Sequence, residues 1–577
     1  MNKVMQEVID TDQKICFKSQ GGWLENAGII GLIRILDAED VSIENNSLYV
    51  KKKALNYFAE KYFEFFIKIY GGQTRVARII DFKVKIEEWQ NIDENKADPE
   101  IIYNQLDNWY KNCLKYYIAS GSFKKISSLF PPDFDSTLAL KDCSKDLQKL
   151  KKLKKDNQGF NEVLQQLIPK LQQFIDYFSI PKAKKYFMAK TLSYIVINNA
   201  WGGISFFNPQ TKTPDLYQDY EDAFVKPVVE YLKADHQKDV YRCATCGRPI
   251  KKQKYSYSFL NGVGYDTNRK TSNAWLFNND QFMCPLCHLM YSAVSAGFNY
   301  DNRHQGIFIN QNQDIELLKN ANNKIILEMK RAVEKEQIIS PWRAFALSFQ
   351  EMFAKSSSYT LADIQVVSYQ NGQYRFNLVP KKIASVLKKA SEKPFSNRQK
   401  TVALLSVLNS AYIKNFQGQS SLQIYDAMLK LLLVSANLNS LISDVLQLKI
   451  VRHQDLHVTV EQIYNLIQIN LIYFKEMSNL ALTDEELRKM RGSGKNLGDG
   501  YANTNKRQTL AYRLLQALKI QNNDQFMNIL LDAYLYQKKL VPKNFIQKMN
   551  SPEEFNQLGY AFIAGLIPND NKNEEEK

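Results

Sequence analysis

The chain has 577 residues and carries 76 Lys and Arg against 60 Asp and Glu, a formal net charge of +16. That length is enough for about two to four domains with a substantial core. The cation excess points to a polyanionic partner, because each phosphate neutralised by a cation releases counterions; the alternative is a merely soluble basic protein. The polar start MNKVMQEVIDTDQK reads against a secretory signal, and no run approaches the roughly 20 apolar residues of a membrane span. Seven cysteines, an odd number, argue against a disulfide framework, so a reducing cytoplasm is expected.

Residues 21 to 36 (GGWLENAGIIGLIRIL) read as a buried helix entered from a glycine turn, with small residues that admit another backbone closely. Val41-Ser42-Ile43 and Leu48-Tyr49-Val50 flank Asn45-Asn46, which tolerates left-handed geometry and suits a hairpin turn. Residues 55 to 70 (LNYFAEKYFEFFIKIY) place aromatics at helical spacing, the pattern of a core. The run 149 to 155 (KLKKLKK) is a cationic helix face, either solvated or in contact with nucleic acid. The segment Trp201-Gly202-Gly203-Ile204-Ser205-Phe206-Phe207-Asn208-Pro209 is expected to be a strand leaving a glycine turn.

Two cysteine pairs dominate the middle of the chain: Cys243-Ala-Thr-Cys246 and, 37 residues on, Cys284-Pro-Leu-Cys287. The two-residue spacing lets neighbouring thiolates grip one cation, and four thiolates match the closed tetrahedral site of structural zinc. Gly247 follows the first pair, where the chain must turn sharply. Between the pairs stand Lys251, Lys252, Lys254, Arg269 and Lys270, interleaved with Tyr255, Tyr257, Phe259, Tyr265 and Trp275, and the turn Asn261-Gly262-Val263-Gly264. Cations beside aromatics and amides form a candidate nucleic-acid surface; alternatively the aromatics pack a hairpin onto the domain.

Val366 to Val379 contains Asn371-Gly372 between alternating segments, a strong hairpin signal. From about residue 396 the pattern becomes helical. Ile424, Met428, Leu431, Leu438, Ile442 and Val445 share one face, and further helices are expected over 459–479, 505–519, 522–537 and, as a shorter pair, 543–566. Arg488 to Arg507 reads as a glycine-rich flexible stretch between helices. Its Arg491, Lys495, Lys506 and Arg507, with Arg513 beyond, are candidates for tracking a single strand. The fold class is therefore α+β: a mixed domain over 1–395 with a zinc-ribbon-like module at about 240–300, a helical bundle over 396–568, and a disordered polar tail over 569–577.

Catalytic patterns fail one by one. Residues 247 to 283 hold no histidine, which removes the general base of an HNH nuclease. No His-x-Glu precedes a Pro-Cys-x-x-Cys, as a zinc deaminase needs. His453 and His457 lack HExxH context and read as helix-surface residues. Gly492-Ser493-Gly494-Lys495 lacks the leading glycine and following Ser or Thr of a P-loop, since Lys489 and Asn496 stand there.

Three stretches together resemble a known family, the CRISPR-associated CxxC–CxxC proteins, large subunits of type I-B Cascade. They are residues 23–32 (WLENAGIIGL), the four cysteines followed by 306–310 (GIFIN), and 510–515 (LAYRLL) with 559–566 (GYAFIAGL). The resemblance implies a non-catalytic subunit of an RNA-guided surveillance complex, with a structural zinc and a C-terminal bundle like the small subunit. It also implies binding near the 5′ handle of the guide RNA, help in recognising the protospacer-adjacent motif, and support for opening double-stranded target DNA and holding the displaced single strand. The implied partners are the backbone, handle-binding and small subunits and the effector nuclease-helicase. Internal initiation yields a separate small subunit in some such systems, and Met428 is one possible start. The alternatives are a free-standing zinc-ribbon nucleic-acid-binding protein and a nuclease whose site has a pattern not seen above.

Overall fold

The computed structural model describes residues 13–90, 98–211, 213–263, 281–301, 305–311, 314–345 except 335–340, 348, 364–370, 372–397, 400–416 and 419–568. The chain forms two compact units, residues 1–322 with 367–375, and residues 323–366 with 376–577. The sequence pattern expects a boundary at 395; by contacts the second unit also takes in residues 323–366 and 376–395. The reason is local: within the second unit Arg343 donates to Gln423 Oε1 (3.0 Å), and Lys430 lies over the Trp342 ring.

The first unit opens with β1 (Lys14–Lys18), α1 (Trp23–Ile35), β2 (Val41–Glu44) and β3 (Ser47–Lys51), the strands ordered β1-β3-β2. Asn45 and Asn46 both adopt positive φ, as the hairpin turn requires. Next comes α2 (Phe58–Tyr70), whose Phe58, Tyr62, Phe63, Phe66 and Tyr70 are buried at helical spacing. The cationic run closes the helix Ser136–Lys152 and continues past it: Lys149 pairs with Asp146, Lys154 lies over Tyr103, and Lys151, Lys152 and Lys155 are exposed. Trp201 to Pro209 is not a strand. One isolated bridge joins Trp201 to Leu260, and residues 205–207 form a short helical turn because Trp201, Phe206 and Phe207 pack on each other.

Helix α1 packs against the consecutive helices α3 (Pro285–Ser292) and α4 (Val294–Gly297) with almost no side-chain spacer. A Cβ on Gly31 would land on the Ala293 carbonyl, and one on Gly297 would land on that of Ala27. The close approach expected of the small residues is therefore realised. Arg34 of α1 is half-buried beside this contact, donating to the carbonyls of Ala296 (2.9 Å) and Gly297 (2.7 Å), and desolvation lowers its pKa to about 10.

The hairpin signalled by Asn371-Gly372 is present as β10 (Ile364–Gln370) and β11 (Gln373–Leu378). Asn371 itself is not among the described residues. The sheet order there is β11-β10-β9-β8, with β8 at Asn299–Tyr300 and β9 at Gly306–Gln311.

The second unit has short strands early, β12 (Pro394–Asn397) to β15 (Gln419–Gln423), and is helical after that: α5 (Ile424–Leu433), α6 (Asn439–Ile450), α7 (Val460–Ser478), α8 (Asp484–Asp499), α9 (Thr504–Lys519), α10 (Asn523–Tyr536), α11 (Lys543–Gln547) and α12 (Pro552–Leu566). The stripe from Ile424 to Val445 is split between α5 and α6, because Ser435 turns left-handed at φ +56°. Met428 is buried in the middle of α5. The stretch read as a flexible loop is mostly α8. Thr483 and Glu486 form a capping box at its start, and Leu487, Met490, Gly494 and Leu497 are buried along one face. Glycine stands at 494 because a Cβ there would land on the Phe562 carbonyl of α12, and one on Gly565 would land on that of Arg491. No helix among the described residues is long and apolar enough to cross a membrane.

Candidate metal centre

The first cysteine pair hangs from a two-strand hairpin, β4 (Tyr241–Arg242) with β5 (Pro249–Ile250). Inside it Cys243 N donates to Arg248 O (2.8 Å) and Gly247 N to Cys243 O (2.9 Å). Gly247 takes φ +71°, the turn its position in the sequence asks for. The second pair follows β7 (Phe282–Met283), which pairs with β6 (Tyr255–Ser256). Cys284 caps α3, its Sγ accepting from Cys287 N at 3.5 Å, with Pro285 in the first turn where its missing N–H costs nothing. A hydrogen bond from Ala244 N to Phe282 O (2.8 Å) ties the two halves together.

The four Sγ atoms of Cys243, Cys246, Cys284 and Cys287 lie within 4.8 Å of one another. Tetrahedral zinc with Zn–S near 2.3 Å sets S···S at about 3.8 Å. Cys246 and Cys284 stand at 3.6 Å, so the cluster is already at ligand spacing. Hydrogen bonds from the other three sulfurs hold the Cys243 thiol well below its ordinary range. Cys246 is raised by Cys243 but drawn down by Cys284 and Cys287 to about 7, while Cys284 and Cys287 are pushed up. Arg248 adds a positive charge 3.5 Å from Cys246 Sγ and is held at its other end by the Cys16 carbonyl. A cation bound among the sulfurs displaces the remaining protons. With four thiolates the sphere is closed, so the ion would build structure. Of the other cysteines, Cys113 and Cys143 are buried in the core.

Two residues around the cluster escape a sequence reading. Thr245 Oγ1 meets the hydroxyls of Tyr257 (2.6 Å) and Tyr291 (3.1 Å), and Tyr291 donates to Glu25 Oε1 (3.5 Å), a carboxyl raised by burial. Glu25 thereby links the Trp-Leu-Glu-Asn stretch to the first knuckle. His288, next to Cys287, lies between Phe224 and Tyr255 with ring centroids 4.6 and 4.5 Å away. Burial drops its pKa to about 3, so it is a neutral packing element. The adjacent Cys-His dipeptide signals neither role.

The structure separates the expected nucleic-acid residues into groups. Lys251, Lys252 and Lys254 are exposed between β5 and β6, Lys254 lying over the Tyr255 ring. Phe259 is buried, and Tyr255 and Tyr257 are half-buried, so part of the aromatic set packs the module. Asn261 donates through Nδ2 to Asn198 O (2.5 Å) and through its backbone N–H to Ala200 O (2.9 Å). Gly262 sits at φ +75° against Tyr374. Gly264, Tyr265, Arg269, Lys270 and Trp275 lie outside the described residues.

In the second unit Lys495, Lys506 and Arg513 are exposed. Arg491 is committed to both oxygens of Glu461 and stacks over Tyr464 at 4.4 Å. Arg507 donates to the Leu566 carbonyl and stands 3.7 Å from Asp499. Both arginines hold the bundle together. His453 and His457 are exposed but not helical: α6 ends before His453, and His457 is in the short strand β16 (Leu456–His457), paired with β14 (Tyr412–Phe416).

Residues 236–299, 64 of the 577, match the family described as CRISPR-associated protein (Cas_CXXC_CXXC). No curated protein and no solved structure matches the chain. The matched segment contains both knuckles and helices α3 and α4, and its likeness to the CxxC–CxxC family supports a CRISPR-associated protein.

Proposed function

We propose that the chain is the non-catalytic large subunit of a type I-B Cascade surveillance complex, assembled with a guide RNA and with backbone, handle-binding and small subunits. The observation that carries this is the convergence of four sulfurs within 4.8 Å in the segment that matches the CRISPR-associated family, on a chain of net charge +16. In this reading zinc fixes the module that displays Lys251, Lys252 and Lys254 to phosphates. The complex recognises the protospacer-adjacent motif, opens double-stranded target DNA, and presents a surface to the effector nuclease-helicase. The exposed cations of the second unit hold a displaced single strand.

Expression with the neighbouring genes tests the assignment. A large subunit co-purifies with a guide RNA and several partner proteins in fixed proportion. A chain that purifies alone, free of RNA, while its neighbours assemble without it, refutes the assignment. Metal-dependent cleavage of DNA by the isolated chain would overturn the non-catalytic part.

A further inference from the structure

The second unit contains a cavity of about 230 Å³ walled by Lys449, Arg452, His453, Arg507 and Gln508 and otherwise by apolar side chains and Pro568. Among the described residues no Asp or Glu lines it. The chain builds it where α6 ends. Arg452 turns left-handed at φ +52°, its N–H bonded to Lys449 O (3.2 Å), and His453 N bonds back to Leu448 O (3.0 Å). That reversal brings Lys449, Arg452 and His453 around one space. The first turns of α9 supply Arg507 and Gln508 from the other side.

The donors are already oriented. Arg507 is fixed by the Leu566 carbonyl and by Gly498, whose lack of a Cβ leaves room for the guanidinium. His453 Nδ1 accepts the Asp455 N–H (3.3 Å), which makes Nε2 the protonated, donating nitrogen of the neutral ring. Lys449 Nζ is held by the Val458 carbonyl at 2.8 Å. Arg452 is exposed and makes no ion pair among the described residues.

The charge balance favours an anion. The C-termini of α6 and α12 meet here, each worth about half a negative charge. Asp499, beside Arg507 but outside the lining, removes one more. Three formal cations exceed that sum by about one charge. Forked guanidinium, imidazole, amide and ammonium donors from several sides suit a group with several acceptor oxygens, as phosphate has. The volume is below the roughly 300–1,000 Å³ that encloses a whole small-molecule ligand, so one group of a longer chain fits best. Lys506 and Arg513 are exposed on the helix that supplies Arg507, where neighbouring phosphates of that chain would pass.

We propose that this cavity is a phosphate-oxyanion site that grips one phosphodiester of a single-stranded nucleic acid; the source of the phosphate rests on the functional reading above. The test uses the full chain and two variants, Arg452→Gln and Gln508→Glu, neither of which removes a support described above. Oligo-dT binding is followed by fluorescence anisotropy against salt, and melting temperature is followed with and without excess inorganic phosphate. Each variant is expected to weaken oligo-dT binding about fivefold and to flatten the log–log salt slope by about 0.7, one single-strand phosphate contact. If inorganic phosphate stabilises the wild type and neither variant, while oligo-dT binding is unchanged, the oxyanion site stands and its source is free phosphate. If both variants keep wild-type affinity, slope and phosphate response, the proposal is overturned. Absence of guide RNA from the purified assembly, with these effects intact, removes only the complex assignment.

Discussion

The indole N–H of Trp201 donates to the backbone carbonyl of Ser292 at 3.0 Å, joining the aromatic core to the last residue of the helix that Cys284 begins. The Tyr62 hydroxyl reaches the same carbonyl at 3.1 Å, and Tyr220 meets the Ser292 hydroxyl at 2.6 Å. All four residues are buried, so Ser292 is one of the points at which the metal module is bolted to the rest of the first unit. Trp201→Phe leaves Tyr62 in place. It is expected to cost about 1–3 kcal/mol in urea denaturation, through the lost donor and lost packing.

Cys284→Ser removes one sulfur ligand but keeps a hydroxyl that can accept the Cys287 N–H, so the helix cap is preserved. Apparent binding energies of structural zinc are on the order of 10 kcal/mol or more and act locally as folding energy. Elemental analysis should therefore find about one zinc per wild-type chain and none in the variant. Hydrogen exchange should rise across residues 241–263 and 281–291 while α7 and α12 keep their protection. A metal-free wild-type chain with an ordered module would refute the zinc assignment.

Two glycines two residues apart in α8, and so on nearly opposite faces of the helix, should respond in opposite directions. A Cβ at Gly492 meets nothing, so Gly492→Ala should stabilise by about 0.5–1 kcal/mol through helix propensity. A Cβ at Gly494 lands on the Phe562 carbonyl, so Gly494→Ala should destabilise by about 1–3 kcal/mol. Thermal denaturation of the two single variants decides it.

Cations should divide by role. Lys495, Lys506 and Arg513 changed together to Gln should weaken oligo-dT binding and lower its salt slope by about 2. Arg491→Gln should leave the slope unchanged. It should cost about 1 kcal/mol of stability, since its pair with Glu461 is partly exposed. Equal loss of strand binding in both variants would contradict the division.

His236 lies at the start of the matched segment, its Nδ1 2.7 Å from Asp239 and its Nε2 2.8 Å from the Tyr231 carbonyl. Burial opposes its charge, but these bonds prevail and the folded pKa is raised. The protonated form therefore stabilises the fold. Its contribution is complete below the unfolded value near 6.5 and is lost as pH rises through the raised folded value. The melting temperature should fall from pH 6 to pH 8 by a small amount that disappears in His236→Gln.

The four-cysteine cluster was legible because cysteine spacing encodes ligand geometry directly, and the hairpins were legible because Asn45-Asn46 and Gly372 carry left-handed turns. The misreadings share one cause. Gly492, Gly494 and Gly498 resemble a loop in composition, yet Gly494 is the close-contact member of a stripe with Leu487, Met490 and Leu497. The capping box Thr483-Asp484-Glu485-Glu486 was the local signal of a helix. Arg491 and Arg507 could not be told from Lys495 and Lys506 by charge alone, because what separates them is Glu461 and the Leu566 carbonyl, both distant in sequence. The Glu25–Tyr291 contact spans 266 residues and leaves no periodic trace.

The glycine contact between α1 and the 293–297 segment also sets a schedule for synthesis. Arg34 waits for the Gly297 carbonyl, 263 residues further along. At about 5–20 residues per second, translation leaves that gap open for roughly 13–50 s. During that interval the apolar sequence Gly28-Ile29-Ile30-Gly31-Leu32-Ile33 has emerged without the 293–297 segment that covers its glycines. That stretch then stays open to a holding chaperone until residue 297 is made, and a pause in translation before residue 297 lengthens the exposure while one after it does not.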